Sequence, residues 1–222
     1  AAAVNERTRV VMVCNPNNPT GTSVGAAAFD RFAASLPEDV LLLIDEAYVE
    51  FARRPDFPDS LGWVARRPGT LVVRTFSTAY GLAALRVGFA ASHPEVADVL
   101  NRIRQPFNVN SIALEGARAG LADQDHITRS VALVAAERPR LARELAARGL
   151  PVLPSAGNFV LVNIGSAARA AALNDHLLRR GVIVRPVGNY GLAGHLRITV
   201  GRTEENSRLL EGIDAWPEGG PR

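Results

Sequence analysis

Three short segments place polar side chains where an α/β protein keeps its ligand sites. Asn18 lies in NPNNPTG at 15–21. Asp45 closes the apolar run LLLID, with Tyr48 three residues on. Ser77 and Thr78 follow LVVRTF, and Arg86 comes after a further turn. Ligands in open α/β sheets sit beyond the carboxyl ends of the strands, and each segment ends a strand-like run. Two hydroxyls and an arginine there suit an anion, because hydrogen bonds to a charged partner are the strong ones. Together the segments describe an anion site beside a carboxylate and polar anchors. Taken singly, each has a plainer reading: Asn, Pro and Gly form turns, Asp and Ser cap helices, and a lone arginine sits on the surface. Their shared order and spacing is what argues for a site.

That site lacks a strong nucleophile. All 25 Lys+Arg positions are arginine, so no side chain supplies a primary amine. A GC-rich genome would produce the same bias towards Ala and Arg, but the chemical consequence is unchanged.

The elements that must position these residues alternate. RVVMVC (9–14), LLLID (41–45) and LVVRTF (71–76) read as buried strands. SVGAAAFDRFAASL reads as a helix ended by Pro37, and a short helix follows ARRPDFPDS. Strand–helix alternation predicts an α/β layer with mainly parallel strands. After Phe89 the pattern turns helical. Ser92, Pro94 and Glu95 fit a capping box, Pro106 stops that helix, and Ser111 is placed to cap the next. A long helical stretch from about 126 to 148 ends at Gly149, with Pro139 expected to kink or split it. Then come a strand (NFVLVNI), a helix (AALNDHLLRRG), two strands (VIVRPV and HLRITVG), and a last helix with Thr203 as N-cap and Glu204 and Glu205 in its first turn. The expected division is 1–125 for a larger domain, and 126–222 for a connector helix and a small α+β domain.

Composition narrows the function classes. A net charge of +3 with basic residues spread along the chain argues against a nucleic-acid face. One cysteine, Cys14, excludes an internal disulfide and suits a cytoplasmic protein. No apolar run approaches a membrane span, and AAAVNERTRV lacks the apolar core of a signal peptide. There is no CxxC, HExxH, GxSxG or Walker A pattern, so no metal site is expected.

CNPNNPTGT, IDEAYVEF and RTFSTAYGLAALRVGF together resemble the fold-type I pyridoxal-phosphate aminotransferases. QPFNVNS and HLRITVG are most similar to the histidinol-phosphate branch of that family. The resemblance implies a pyridoxal 5'-phosphate cofactor, a mainly parallel large-domain sheet, a small C-terminal α+β domain and a homodimer. It implies transfer of an amino group from an amino donor to a 2-oxo acid, with histidinol phosphate as donor in this branch. By residue, it implies that Asn18 and Tyr48 hydrogen-bond the ring hydroxyl and that Asp45 pairs with the ring nitrogen. Ser77 and Arg86 would bind the cofactor phosphate. Arg197 would hold a substrate carboxylate, and Arg185 the distal phosphate. An arginine's flat five-donor fork matches carboxylate and phosphate alike.

The sequence also departs from the family. The family carries a Schiff-base lysine directly after the serine, where this chain has Thr78. A hydroxyl forms no stable imine and is a poor base at neutral pH, whereas positioned acid–base catalysis contributes roughly 10²–10⁴-fold. The family's N-terminal part is also expected to be missing, which would leave a sheet edge and an apolar face uncovered. Three readings follow: a histidinol-phosphate aminotransferase, fragmentary or impaired; a non-catalytic cofactor-binding or regulatory protein; and an aromatic amino-acid aminotransferase or threonine-phosphate decarboxylase-like enzyme.

Overall fold

A computed structural model of the chain describes residues 2–217. These fall into two compact units. One runs to Pro16 and resumes from Ser23 to Arg129. The other takes Asn17–Thr22 and the chain from Ser130 onward.

The first unit is built on a four-stranded sheet, β1 (Val10–Cys14), β2 (Leu41–Asp45), β3 (Thr70–Thr75) and β4 (Gly88–Ser92), in that order. The first three strands are parallel, with Cys14 opposite Asp45 and Asp45 opposite Val73, and β4 runs antiparallel to β3. Helices α1 (Ala26–Ala34) and α2 (Ser60–Arg66) lie between the parallel strands in sequence. Phe29, Ala33, Leu36 and Trp63 pack with Leu42, Ile44 and Val72. The Phe29 and Trp63 rings meet edge to face at 6.3 Å, and Trp63 Nε1 donates to Asp30 at 2.8 Å.

The first strands are buried on one face rather than on both. Side chains alternate along a strand, so Val11 and Val13 pack into the core while Val10 and Met12 stand 50% and 72% exposed. Leu41 and Leu43 are likewise only half-buried. Strand β4 had no signature in the sequence: GFAAS is poor in β-branched residues, and its pairing with β3 makes it a strand. Two helices complete this unit, α3 (Pro94–Ile103) and α4 (Ser111–Ala122). Their N-caps are His93 and Asn110, not Ser92 and Ser111. Asn110 Oδ1 accepts from the Ala113 amide at 2.8 Å, which leaves Ser111 as the first helical residue.

Helix α5 (Gln124–Ala147) spans the division after Arg129 and runs unbroken through Pro139. Gly149 follows it with φ +72°, the left-handed geometry that ends helices. The second unit's sheet has the order β5 (Phe159–Asn163), β7 (His195–Thr199), β6 (Arg185–Pro186), all antiparallel. Only two residues of VIVRPV pair, so β6 is far shorter than the apolar run suggests. Leu141 and Leu145 of α5 pack with α6 (Ala167–Arg179), α7 (Thr203–Asp214) and the strands through Leu173, Leu177, Leu196, Leu209 and Ile213. The N-cap of α7 is Arg202, whose amide donates to Glu205 at 2.8 Å. Thr203 instead donates its hydroxyl to Glu137, which also accepts from Arg140 and Asn206. No helix among the described residues is long and apolar enough to cross a membrane.

Candidate functional site

Five of the eight residues singled out in the sequence lie in the first unit. Asp45 is the last residue of β2, and its carboxylate accepts from the Ala47 amide at 3.0 Å, which turns the chain out of the sheet. Tyr48, half-buried, precedes a 3₁₀ turn at Val49–Phe51. The neighbouring strand β3 ends at Thr75, whose hydroxyl accepts from the Ser77 amide at 3.0 Å and fixes the turn that presents the Ser77 side chain. Thr78 is half-buried, and its carbonyl accepts from Gly81 at 3.0 Å.

Arg86 returns to this turn. Its Nη1 donates to the Ala83 carbonyl at 2.8 Å and lies 3.4 Å from Ser77 Oγ. Its backbone is left-handed, φ +53°, a conformation that costs a non-glycine residue about 1–2 kcal/mol. Residues 80–87 are held against α4: Phe76 and Val87 pack with Ala113 and Ala117, supported by Leu82 and Leu85. Ser77 and Arg86 are thus brought together beside the strand that ends in Asp45. Asp45 forms no ion pair among the described residues, so its carboxylate remains available to a cation.

Two further groups here escaped the sequence reading. Glu46, 1% exposed, receives Arg74 Nε at 2.8 Å and Nη2 at 2.7 Å. The available signal was a charged residue inside the apolar run LVVRTF.

Asn18, Arg185 and Arg197 belong to the second unit. The segment 17–22 is tied into it: Ala156 N donates to Gly21 O at 2.7 Å. Gly21 has φ +76°, and a β-carbon there would lie 2.3 Å from Ser155 Oγ, so only glycine allows this approach. Asn18 Oδ1 accepts from Arg197 Nη1 at 2.6 Å. The Arg197 guanidinium lies 5.1 Å from the Phe159 ring centroid, and its Nε is buried without a hydrogen-bond partner. Arg185 is the direct cross-strand neighbour of Arg197, so both side chains share one face of the sheet. Like charges placed opposite each other repel, and an anion bound to that face relieves the repulsion.

The pattern of the family described as aminotransferase class I and II matches residues 1–213. The chain belongs to that family, and its fold is that of the fold-type I aminotransferases. It is 53% identical over 212 residues to histidinol-phosphate aminotransferase 2 of Pseudomonas fluorescens, covering 96% of this chain and 57% of the relative. It is 47% identical to histidinol-phosphate aminotransferase 1 of Nitrosococcus oceani, again covering 96% and 57%. Among solved structures, histidinol-phosphate aminotransferase from Sinorhizobium meliloti in complex with pyridoxal-5'-phosphate superposes with a TM-score of 0.85 at 38% identity, over 95% of this chain and 57% of that one. The chain therefore spans little more than half the length of the relatives it matches.

Proposed function

We propose that the chain is the cofactor- and substrate-anion-binding portion of a pyridoxal-phosphate aminotransferase that moves the amino group of histidinol phosphate to 2-oxoglutarate. The observation that carries this reading is the grouping of Ser77 with Arg86 at the end of β3, beside Asp45 at the end of β2. A dianionic phosphate fits the hydroxyl and guanidinium, and a protonated pyridine nitrogen fits the carboxylate, so the residues present suit the cofactor. When bound, pyridoxal phosphate supplies an electron sink for charge developing on the substrate's α-carbon.

The chain's own residues do the rest. Asp45 would hold the proton on the ring nitrogen, and Tyr48 would donate to the ring hydroxyl, a role that the resemblance gives to Asn18 as well. Ser77 and Arg86 anchor the phosphate. Arg197, aimed by its bond to Asn18, takes a substrate carboxylate, and Arg185 takes the distal phosphate of histidinol phosphate. The exposed apolar side chains of α3 and α4, Ile103 and Ile112 among them, support pairing with a second copy. A cytoplasmic location follows from the same biosynthetic reading.

Thr78 sets a limit on this chain. Its hydroxyl neither attaches the cofactor aldehyde nor moves a proton efficiently at neutral pH. With no lysine elsewhere, this favours a second reading, in which the chain binds the cofactor without turning over. Substrate choice is tested by Arg185→Ala in the cofactor-loaded chain. Calorimetric titration should show selective weakening towards histidinol phosphate relative to plain aromatic amino acids. Equal weakening of both sinks the assignment of Arg185 to the phosphate.

A further inference from the structure

The ends of β2 and β3 carry a buried ion pair that the cofactor reading does not use. Glu46 directly follows Asp45, and Arg74 lies three residues before Ser77. Two N–H groups of Arg74 converge on a single Glu46 carboxylate oxygen, at 2.8 and 2.7 Å. The Glu46 side chain is 1% exposed and that of Arg74 26%. The backbones are joined at the same level, with Glu46 N donating to Val73 O at 2.9 Å.

We propose that the Glu46–Arg74 pair is a positioning clamp that sets the separation between Asp45 and Ser77, and hence the span over which one ligand reaches both. This inference rests on the assignment of Asp45 to the ring nitrogen and Ser77 to the phosphate. The clamp is local: Arg74 pairs with Phe89 on β4, and the last backbone bond along this edge is Phe76 N to Val87 O at 3.1 Å, directly before Ser77. Beyond Asp45 the parallel ladder has likewise ended. Glu46 N to Val73 O is the last backbone bond between β2 and β3, and beyond it the side-chain pair is the tie between the segments that carry Asp45 and Ser77. Glu50 is the nearby competitor for Arg74. Burial holds its carboxyl above the ordinary range, which disfavours the anion and leaves the guanidinium to Glu46. One Glu50 oxygen is buried without a hydrogen-bond partner, in keeping with a group excluded from the pair.

A clamp of this kind matters only to a ligand held at two ends, because misplacement loses the benefit of linking the two contacts. The test uses three probes: pyridoxamine 5'-phosphate, which engages both ends; pyridoxamine, which engages only the ring side; and inorganic phosphate. Glu46→Leu combined with Arg74→Leu removes both charges, a replacement that buried pairs usually tolerate. The double variant should melt near the parent and lose about tenfold or more in affinity for pyridoxamine 5'-phosphate. Affinities for the two single-ended probes should stay within about twofold. Equal losses for all three probes, or no loss for any, overturn the clamp. If the double variant does not fold, Glu46→Gln, which keeps the side-chain shape, is read by the same pattern. Failure of the parent chain to bind pyridoxamine 5'-phosphate overturns the underlying cofactor reading and the clamp with it.

Discussion

In the first unit the sheet buries Leu42 and Ile44 beneath α1 and α2, while Val10 and Met12 stand exposed on its other face. In the second unit α5, α6 and α7 enclose Leu141, Leu173, Leu177 and Leu196 in one continuous cluster. That unit also satisfies its buried charge, with Glu137 accepting from Arg140, Thr203 and Asn206. In the first unit Glu46 has its partner, but a Glu50 oxygen does not. Arg86 is held in a left-handed conformation beside Ser77. The second unit reads as a packed support for a pair of arginines. Both units leave buried polar atoms unmet, Glu50 Oε2 in the first and Arg197 Nε and His195 Nδ1 in the second, but only the first holds one of its proposed ligand residues, Arg86, in a left-handed backbone, and strain of that kind gathers at functional sites.

The contrast is broken most forcefully in the cores. Leu141→Ala, at a fully buried position of the second unit, should cost about 2–5 kcal/mol, read from urea denaturation. A loss below about 1 kcal/mol would mean that this cluster is not the support described. Next comes Glu137. Hydrogen bonds first from Arg140, and then from Asn206 and Thr203, hold its carboxyl down at about 2, against an ordinary 4.5, although burial opposes them. The folded state thus favours the anion. Its stabilisation is complete above pH 4.5 and disappears as the pH falls through about 2. Glu137→Gln should therefore be less stable than the parent at pH 6, with the gap closing on descent through that window. A gap independent of pH would show that the charge is not what matters.

Arg86→Gly separates stability from binding. Relief of the left-handed backbone should stabilise the fold by about 1 kcal/mol, while loss of the guanidinium weakens phosphate capture. Destabilisation would remove the argument for strain. The smallest effect belongs to Met12→Ser on the exposed face, expected within about 0.5 kcal/mol in the isolated chain.

Much of this was legible in the sequence. Continuous apolar runs placed β1, β2 and β3, and breakers after them placed Asn18, Asp45 and Ser77. What escaped depended on contacts between distant segments. GFAAS becomes a strand only because β3 lies alongside it. VIVRPV looks like a long strand but pairs at only two residues. The caps at His93 and Arg202 each fall beside a stronger capping residue, and Asn110 caps as well as the neighbouring Ser111 could, since helix starts are decided by local geometry as well as by type. The Glu46–Arg74 pair requires knowing that β2 and β3 are neighbours, which no local pattern states. The inclusion of 17–22 in the second unit depends on the Gly21–Ser155 approach, separated by more than a hundred residues.

The central claim is that this chain holds pyridoxal phosphate at Asp45, Ser77 and Arg86 without the amine that the family carries at the position of Thr78. Incubation with pyridoxal phosphate, borohydride reduction and peptide mass spectrometry test it directly on the parent and on Thr78→Lys. The account predicts no cofactor mass on any internal peptide of the parent, and one cofactor on the peptide containing residue 78 of the variant. A labelled internal peptide in the parent, or an unlabelled residue 78 in the variant, would contradict it.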